Sequence, residues 1–185
     1  MRPQASLGMT LALASLVNLS CVCCTGANAE SFEMVIQQSE SDHWRQALLT
    51  AIATWLSANF DLPAATTLPA VEFVTPEKMA ALRYRGLTST GDQEGHIVAL
   101  YDGLRRTIYL PKGWRGATPV ELSILVHEMV HHLQETEKQT FECPQARERL
   151  AYAAQERWLG LTGSSLVKEF DIDAFTVLIR SGCLH

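Results

Sequence analysis

Residues 118–135 place a charged triplet inside an apolar helix, and that conflict constrains the chain more than any other feature. Thr118-Pro119-Val120-Glu121 reads as a capping box with proline at the first helical position. The helix it opens should run to about Glu135, through Ile124, Leu125, Val126 and Leu133. Within it stands His127-Glu128-Met129-Val130-His131, an H-E-x-x-H match. Positions four apart share a helical face, so both imidazoles can point at one ion. Glu128, next to the first histidine, is then placed to act as general base on a metal-activated water. Polar and charged groups on an apolar helix are costly unless something satisfies them, and zinc would. The competing reading is an amphipathic helix with His and Glu in solvent.

A catalytic zinc takes three protein ligands and keeps a position for water. The metzincin continuation needs a histidine six residues after His131, and that position is Glu137. The next helix, expected from near Pro144 to about Leu159, brings Glu142, Glu148 and Glu156 into question. Glu142 precedes the helix and Glu156 falls on another face. Glu148 shares its side with Ala151, Tyr152 and Gln155, and the small Ala151 would let the two helices approach, so Glu148 ranks first. His132 lies one step off the metal-facing side and reads as surface or supporting. His43, His96 and His185 have no ligand-like spacing.

The N-terminus reads as an export signal: Met1-Arg2, an apolar stretch from Leu7 to Cys24, and Ala27-Asn28-Ala29 before a cleavage point at Glu30. A transmembrane anchor fits less well, because the apolar run is short and interrupted. A lipoprotein would use Cys21, Cys23 or Cys24, but the leucine-small-small approach is missing. Cleavage leaves residues 30–185 as a single domain, exported to periplasm or medium, with no remaining membrane span. It also leaves two cysteines, Cys143 and Cys183, which are expected to pair in an oxidising compartment; two free thiols are the alternative. Cys143 as a metal ligand is the weaker reading there. Twenty acidic against fifteen basic side chains, net −5, argue against a nucleic-acid partner.

The remaining elements follow from periodicity. Ser41–Asn59 reads as a helix capped by Ser39 or Ser41, with Trp44, Leu48, Ile52, Trp55 and Leu56 as its buried stripe. A strand is expected over Pro69–Val74, with Val71 and Phe73 on one face, and a short helix from Thr75-Pro76 to Arg83. Gly86–Gly95 reads as a loop, and His96–Tyr101 with Arg106–Leu110 as a hairpin turned at Asp102-Gly103. Ser164–Leu178 should be helical with a break near Asp171. The expected fold is α+β, a small mostly antiparallel sheet backed by helices.

From Ile97 to Trp158, a hairpin ending in Ile-Tyr-Leu, an H-E-x-x-H helix and a later glutamate-bearing helix together resemble the gluzincin branch of the zincin metallopeptidases. The chain is also similar to small exported bacterial zincin-like proteins. The resemblance implies a zincin-like domain binding Zn2+ through His127, His131 and Glu148. Glu128 would be general base, and a peptide or protein the substrate. The strand Arg106–Leu110 would serve as the sheet edge that aligns it. The branch often carries an aspartate four residues after the ligand glutamate, to orient a histidine. Here that residue is Tyr152, which could orient a histidine, bind substrate or stabilise an oxyanion. The alternatives are a catalytically silent zincin-like domain that binds zinc or a protein partner, and a metal-free exported binding module.

Overall fold

The computed structural model describes residues 26–65, 67–83 and 98–183. The chain divides after Glu40 into two units. Of the first, helical backbone is described from Gly26 onward, the opening of α1 (Gly26–Asn59). The helix therefore starts well before Ser39 and Ser41, and neither caps it. The expected cleavage point at Glu30 lies within its first turns. Among the described residues no helix is long and apolar enough to cross a membrane. The second unit, Ser41–His185, carries everything that follows.

Among the described residues its sheet has three strands, β1 (Ala70–Val74), β2 (Leu100–Asp102) and β3 (Thr107–Pro111), in the order β1-β3-β2. β2 and β3 form the expected antiparallel hairpin, with Tyr101 opposite Ile108. β1 lies parallel to β3, Val71 opposite Ile108. The sheet is thus mixed, and the five-residue parallel pairing is its longer ladder. A parallel neighbour needs a crossover, and α2 (Pro76–Arg83) begins it directly after β1. β3 is the central strand, so the expected edge role for Arg106–Leu110 is wrong: both its flanks are already hydrogen-bonded to β1 and β2. Its burial agrees, since Thr107 through Leu110 are all buried, as a strand covered on both faces requires.

Ile108 and Leu110 point into the main core with Leu49, Ile52 and Leu56 of α1 and Met129 and Leu133 of α3 (Pro119–Thr136). Tyr109 turns the other way, onto Val74 and Met79 of the β1–α2 side. Trp55 packs against this core, edge-on to Phe60 and Trp158. Trp44, expected beside it, is 42% exposed, because the buried face of α1 runs through Leu49 and Ala53 instead. On β1, Val71 packs on the core, whereas Phe73 is exposed and stacks on Trp114.

α3 starts as expected: the Thr118 hydroxyl accepts from Glu121 N at 3.1 Å, with Pro119 at the first position. The returning half of the box differs. Glu121 accepts from Ala117 N (2.8 Å) and Arg115 N (3.3 Å) and so also pins the approach to the helix. The expected second long helix splits into a 3-10 turn, Pro144–Arg147, and α4 (Glu148–Gly160). The last helical region breaks at Asp171, left-handed at φ 55°, into α5 (Leu166–Phe170) and α6 (Ala174–Ser181). Cys143 and Cys183 form the expected disulfide, joining the turn before α4 to the end of α6. Gly86–Gly95 and His96 lie outside the described residues.

Candidate metal centre

α3 and α4 pack closely because α4 meets α3 through Ala151 and Ala154, both 0% exposed. That approach brings the first residue of α4 against the middle of α3. Glu148 Oε2 lies 3.1 Å from His127 Nε2 and 3.3 Å from His131 Nε2, and the two nitrogens are 3.3 Å apart. Among the described residues these three form the group able to hold a metal ion. Glu142 is exposed, Glu156 accepts from Leu166 N at 2.6 Å, and Cys143 is committed to its disulfide. His43 is exposed, and His96 and His185 lie outside the described residues.

The tautomers of both imidazoles follow from two glutamines. The Ser123 hydroxyl donates to Val120 O (2.8 Å), so it accepts from Gln155 Nε2 (3.3 Å). This turns Gln155 Oε1 to His127 Nδ1, at 3.1 Å. Gln134 Nε2 donates to Arg147 O (3.0 Å), which turns its Oε1 to His131 Nδ1, also at 3.1 Å. An amide oxygen only accepts, so each Nδ1 is the donor and each neutral ring presents its Nε2 lone pair inward. Two lone pairs and a carboxylate oxygen then face one another across little more than 3 Å, an arrangement that calls for a proton or a cation between them.

The protonation energetics express the same demand. Burial works against a charge on His127. The hydrogen bond and charge of Glu148, with the charge of Glu128 and the Gln155 bond, outweigh it and raise its pKa above 6.5. Burial would likewise raise the Glu148 carboxyl, but the bonds and charges of His127 and His131 hold it well below the carboxylate range. Its other oxygen lies 3.5 Å from Arg147 Nε.

Glu128 is 8% exposed, makes no hydrogen bond to another described residue, and is near enough for its charge to act on His127. Tyr152 stands beside His127, ring edge to ring at a 4.9 Å centroid separation. Its hydroxyl does not orient that histidine, whose Nδ1 belongs to Gln155; it accepts from Arg180 Nη1 at 3.2 Å. His132 is neither on the surface nor a support for the triangle. It is 0% exposed, donates from Nε2 to Thr67 O (2.8 Å) and meets the Tyr101 hydroxyl at Nδ1 (3.1 Å).

Sequence reasoning missed the two glutamines as hydrogen-bond partners of His127 and His131. The available signals were local: Gln134 three residues after His131, and Gln155 seven after Glu148 on the same side of its helix.

No curated protein matches the chain, and no solved structure does. Residues 41–185, which include every residue of the triangle and both glutamines, match one family model, and the chain belongs to that family, described as a domain of unknown function (DUF6647).

Proposed function

We propose that this protein is an exported zinc-dependent hydrolase, a metallopeptidase with a zincin-like active-site helix. The observation that carries the reading is the pair of glutamine-fixed imidazoles which, with Glu148, turn three lone-pair donors to one point beside the buried Glu128. The donor set fits zinc: imidazole nitrogen and carboxylate oxygen are both zinc ligands. Tetrahedral bonds of about 2.0–2.1 Å imply donor separations of about 3.3–3.4 Å. The observed separations are 3.1, 3.3 and 3.3 Å.

His127, His131 and Glu148 would hold the ion. Zinc in such a site polarises a carbonyl and makes water acidic enough to attack at neutral pH. Glu128 would take the water proton on its carboxylate and deliver it to the leaving amine. Gln155 and Gln134 keep the Nδ1 protons in place, so that both rings stay in the ligating tautomer through the cycle. The cysteine pair supports export, since disulfides persist in oxidising compartments. N-terminal sequencing of the mature protein should begin at Glu30.

Zinc analysis of purified protein, paired with a peptide-library assay on the parent and Glu128→Gln, tests the reading. We expect about one zinc per chain in both proteins and turnover lower by about 10²–10⁴-fold in the variant. Failure to take up zinc, or equal turnover in the two, overturns it. Zinc without turnover in the parent would leave a silent zinc-binding domain.

A further inference from the structure

Arg180 reaches the hydroxyl of Tyr152, the residue whose ring borders the triangle. Its Nη1 donates to the Tyr152 hydroxyl (3.2 Å), and the Tyr152 ring rests edge-on against His127. Among the described residues no carboxylate forms an ion pair with Arg180. A guanidinium has five N–H donors, so one bond to a neutral phenol leaves most of its capacity unused. The phenol, having accepted from Arg180, still has its own O–H to give, and no described residue accepts it.

The helix that presents this cation is fixed in place. Asp173 caps α6, accepting from Thr176 N at 2.7 Å. The Cys143–Cys183 disulfide ties the far end of α6 to the turn that leads into Glu148. Two donors, one of them cationic, thus meet at the hydroxyl end of a tyrosine whose ring rests against a candidate ligand histidine, in a chain with more acidic than basic side chains. Arginine with an adjacent hydroxyl suits a planar carboxylate, which accepts from both at once.

We propose that Tyr152 and Arg180 form a carboxylate subsite, and that the peptides preferred by this protein carry a negative charge close to the bond to be cleaved. This rests on the peptidase reading above. A chain-terminal carboxylate and an aspartate or glutamate side chain offer the same chemistry.

Binding to zinc-loaded Glu128→Gln, measured by calorimetry, tests it with three probes. These are acetyl-tetraalanine as free acid, the same peptide as carboxamide, and the carboxamide with one alanine replaced by glutamate. We expect one charged probe, or both, to bind about tenfold more tightly than the neutral amide, as suits charge-assisted bonds. Arg180→Gln, added to that protein, should bring the ratio to within about twofold. Tyr152→Phe, which keeps the ring on His127, should lower it in part. The free acid and the glutamate amide show which source of charge is read. Equal binding of all three probes, binding of none, or an unchanged ratio in Arg180→Gln overturns the subsite. Hydrolysis by the parent is measured alongside. A charge preference without hydrolysis overturns the peptidase reading and keeps the subsite, whereas hydrolysis without preference does the reverse.

Discussion

Gln155 Oε1 meets His127 Nδ1 at 3.1 Å, and this contact between α4 and α3 decides which nitrogen of His127 faces Glu148. Replacing Gln155 by leucine keeps approximate volume but leaves the Nδ1 proton without an acceptor and the ring free to choose its tautomer. Loss of such a support lowers metal affinity by about 10–100-fold. Zinc titration against a competing chelator should show that loss with the circular dichroism of the parent retained. An unchanged affinity would mean that the amide is packing and nothing more.

The convergence of His127, His131 and Glu148 was legible because its information is local. Two histidines at helical spacing need only the helix to converge, and Glu148 needs only that the Ala151 face of α4 turn toward it. The glutamine roles were harder to read: Gln155 becomes the acceptor of His127 only when α3 and α4 set their distance, and Gln134, though three residues from His131 on α3, is turned to it by its bond to Arg147 O. The sheet shows the same boundary. Its hairpin follows from the local turn signal Asp102-Gly103, whereas the parallel pairing of β1 with β3 joins Val71 to Ile108 across the crossover. The near-continuous apolar run of β3 did contain its central position, as a strand buried on both faces reads that way.

His132 is one residue from a candidate ligand and belongs wholly to the core, bridging Thr67 O on one side and the Tyr101 hydroxyl on the other. Burial, the first influence on it, and the nearby charge of Arg106 lower its pKa against the Thr67 bond, which keeps it a neutral bridge. His132→Ala removes both bonds and opens a cavity, which should cost about 2–4 kcal/mol of stability. Zinc stoichiometry should stay that of the parent. Denaturant melts and metal analysis of one preparation check both halves, and loss of zinc from a folded variant would return His132 to the ligand set.

With metal removed, the contact between His127 and Glu148 makes stability depend on pH. The raised pKa of His127 gives a contribution complete below pH 6.5 and lost as pH rises through the folded value. The lowered pKa of Glu148 gives one complete above pH 4.5 and lost as pH falls through its folded value. The stability difference between parent and Glu148→Gln, measured in chelator, should therefore be largest between pH 4.5 and 6.5 and shrink on either side. Its size should be about 1–3 kcal/mol, as for hydrogen bonds to a charged group. Zinc affinity should run the other way and strengthen with rising pH, since protons compete for the same Nε2 atoms. A flat difference across that range would refute the coupling.

The disulfide closes a loop with a sequence separation of 40 that contains α4, α5 and α6. On chain-entropy grounds a link of that span stabilises by about 4 kcal/mol. Cys143→Ser with Cys183→Ser should lower the denaturant midpoint accordingly. The effect should also reach the centre. Cys143 precedes the turn whose last residue, Arg147, accepts the Gln134 amide through its carbonyl and lies beside Glu148 through its side chain. Loosening that turn frees both the third candidate ligand and the support of His131, so zinc affinity should fall together with stability. A double variant that melts earlier but holds zinc as tightly as the parent would show that α3 and α4 alone keep the triangle closed.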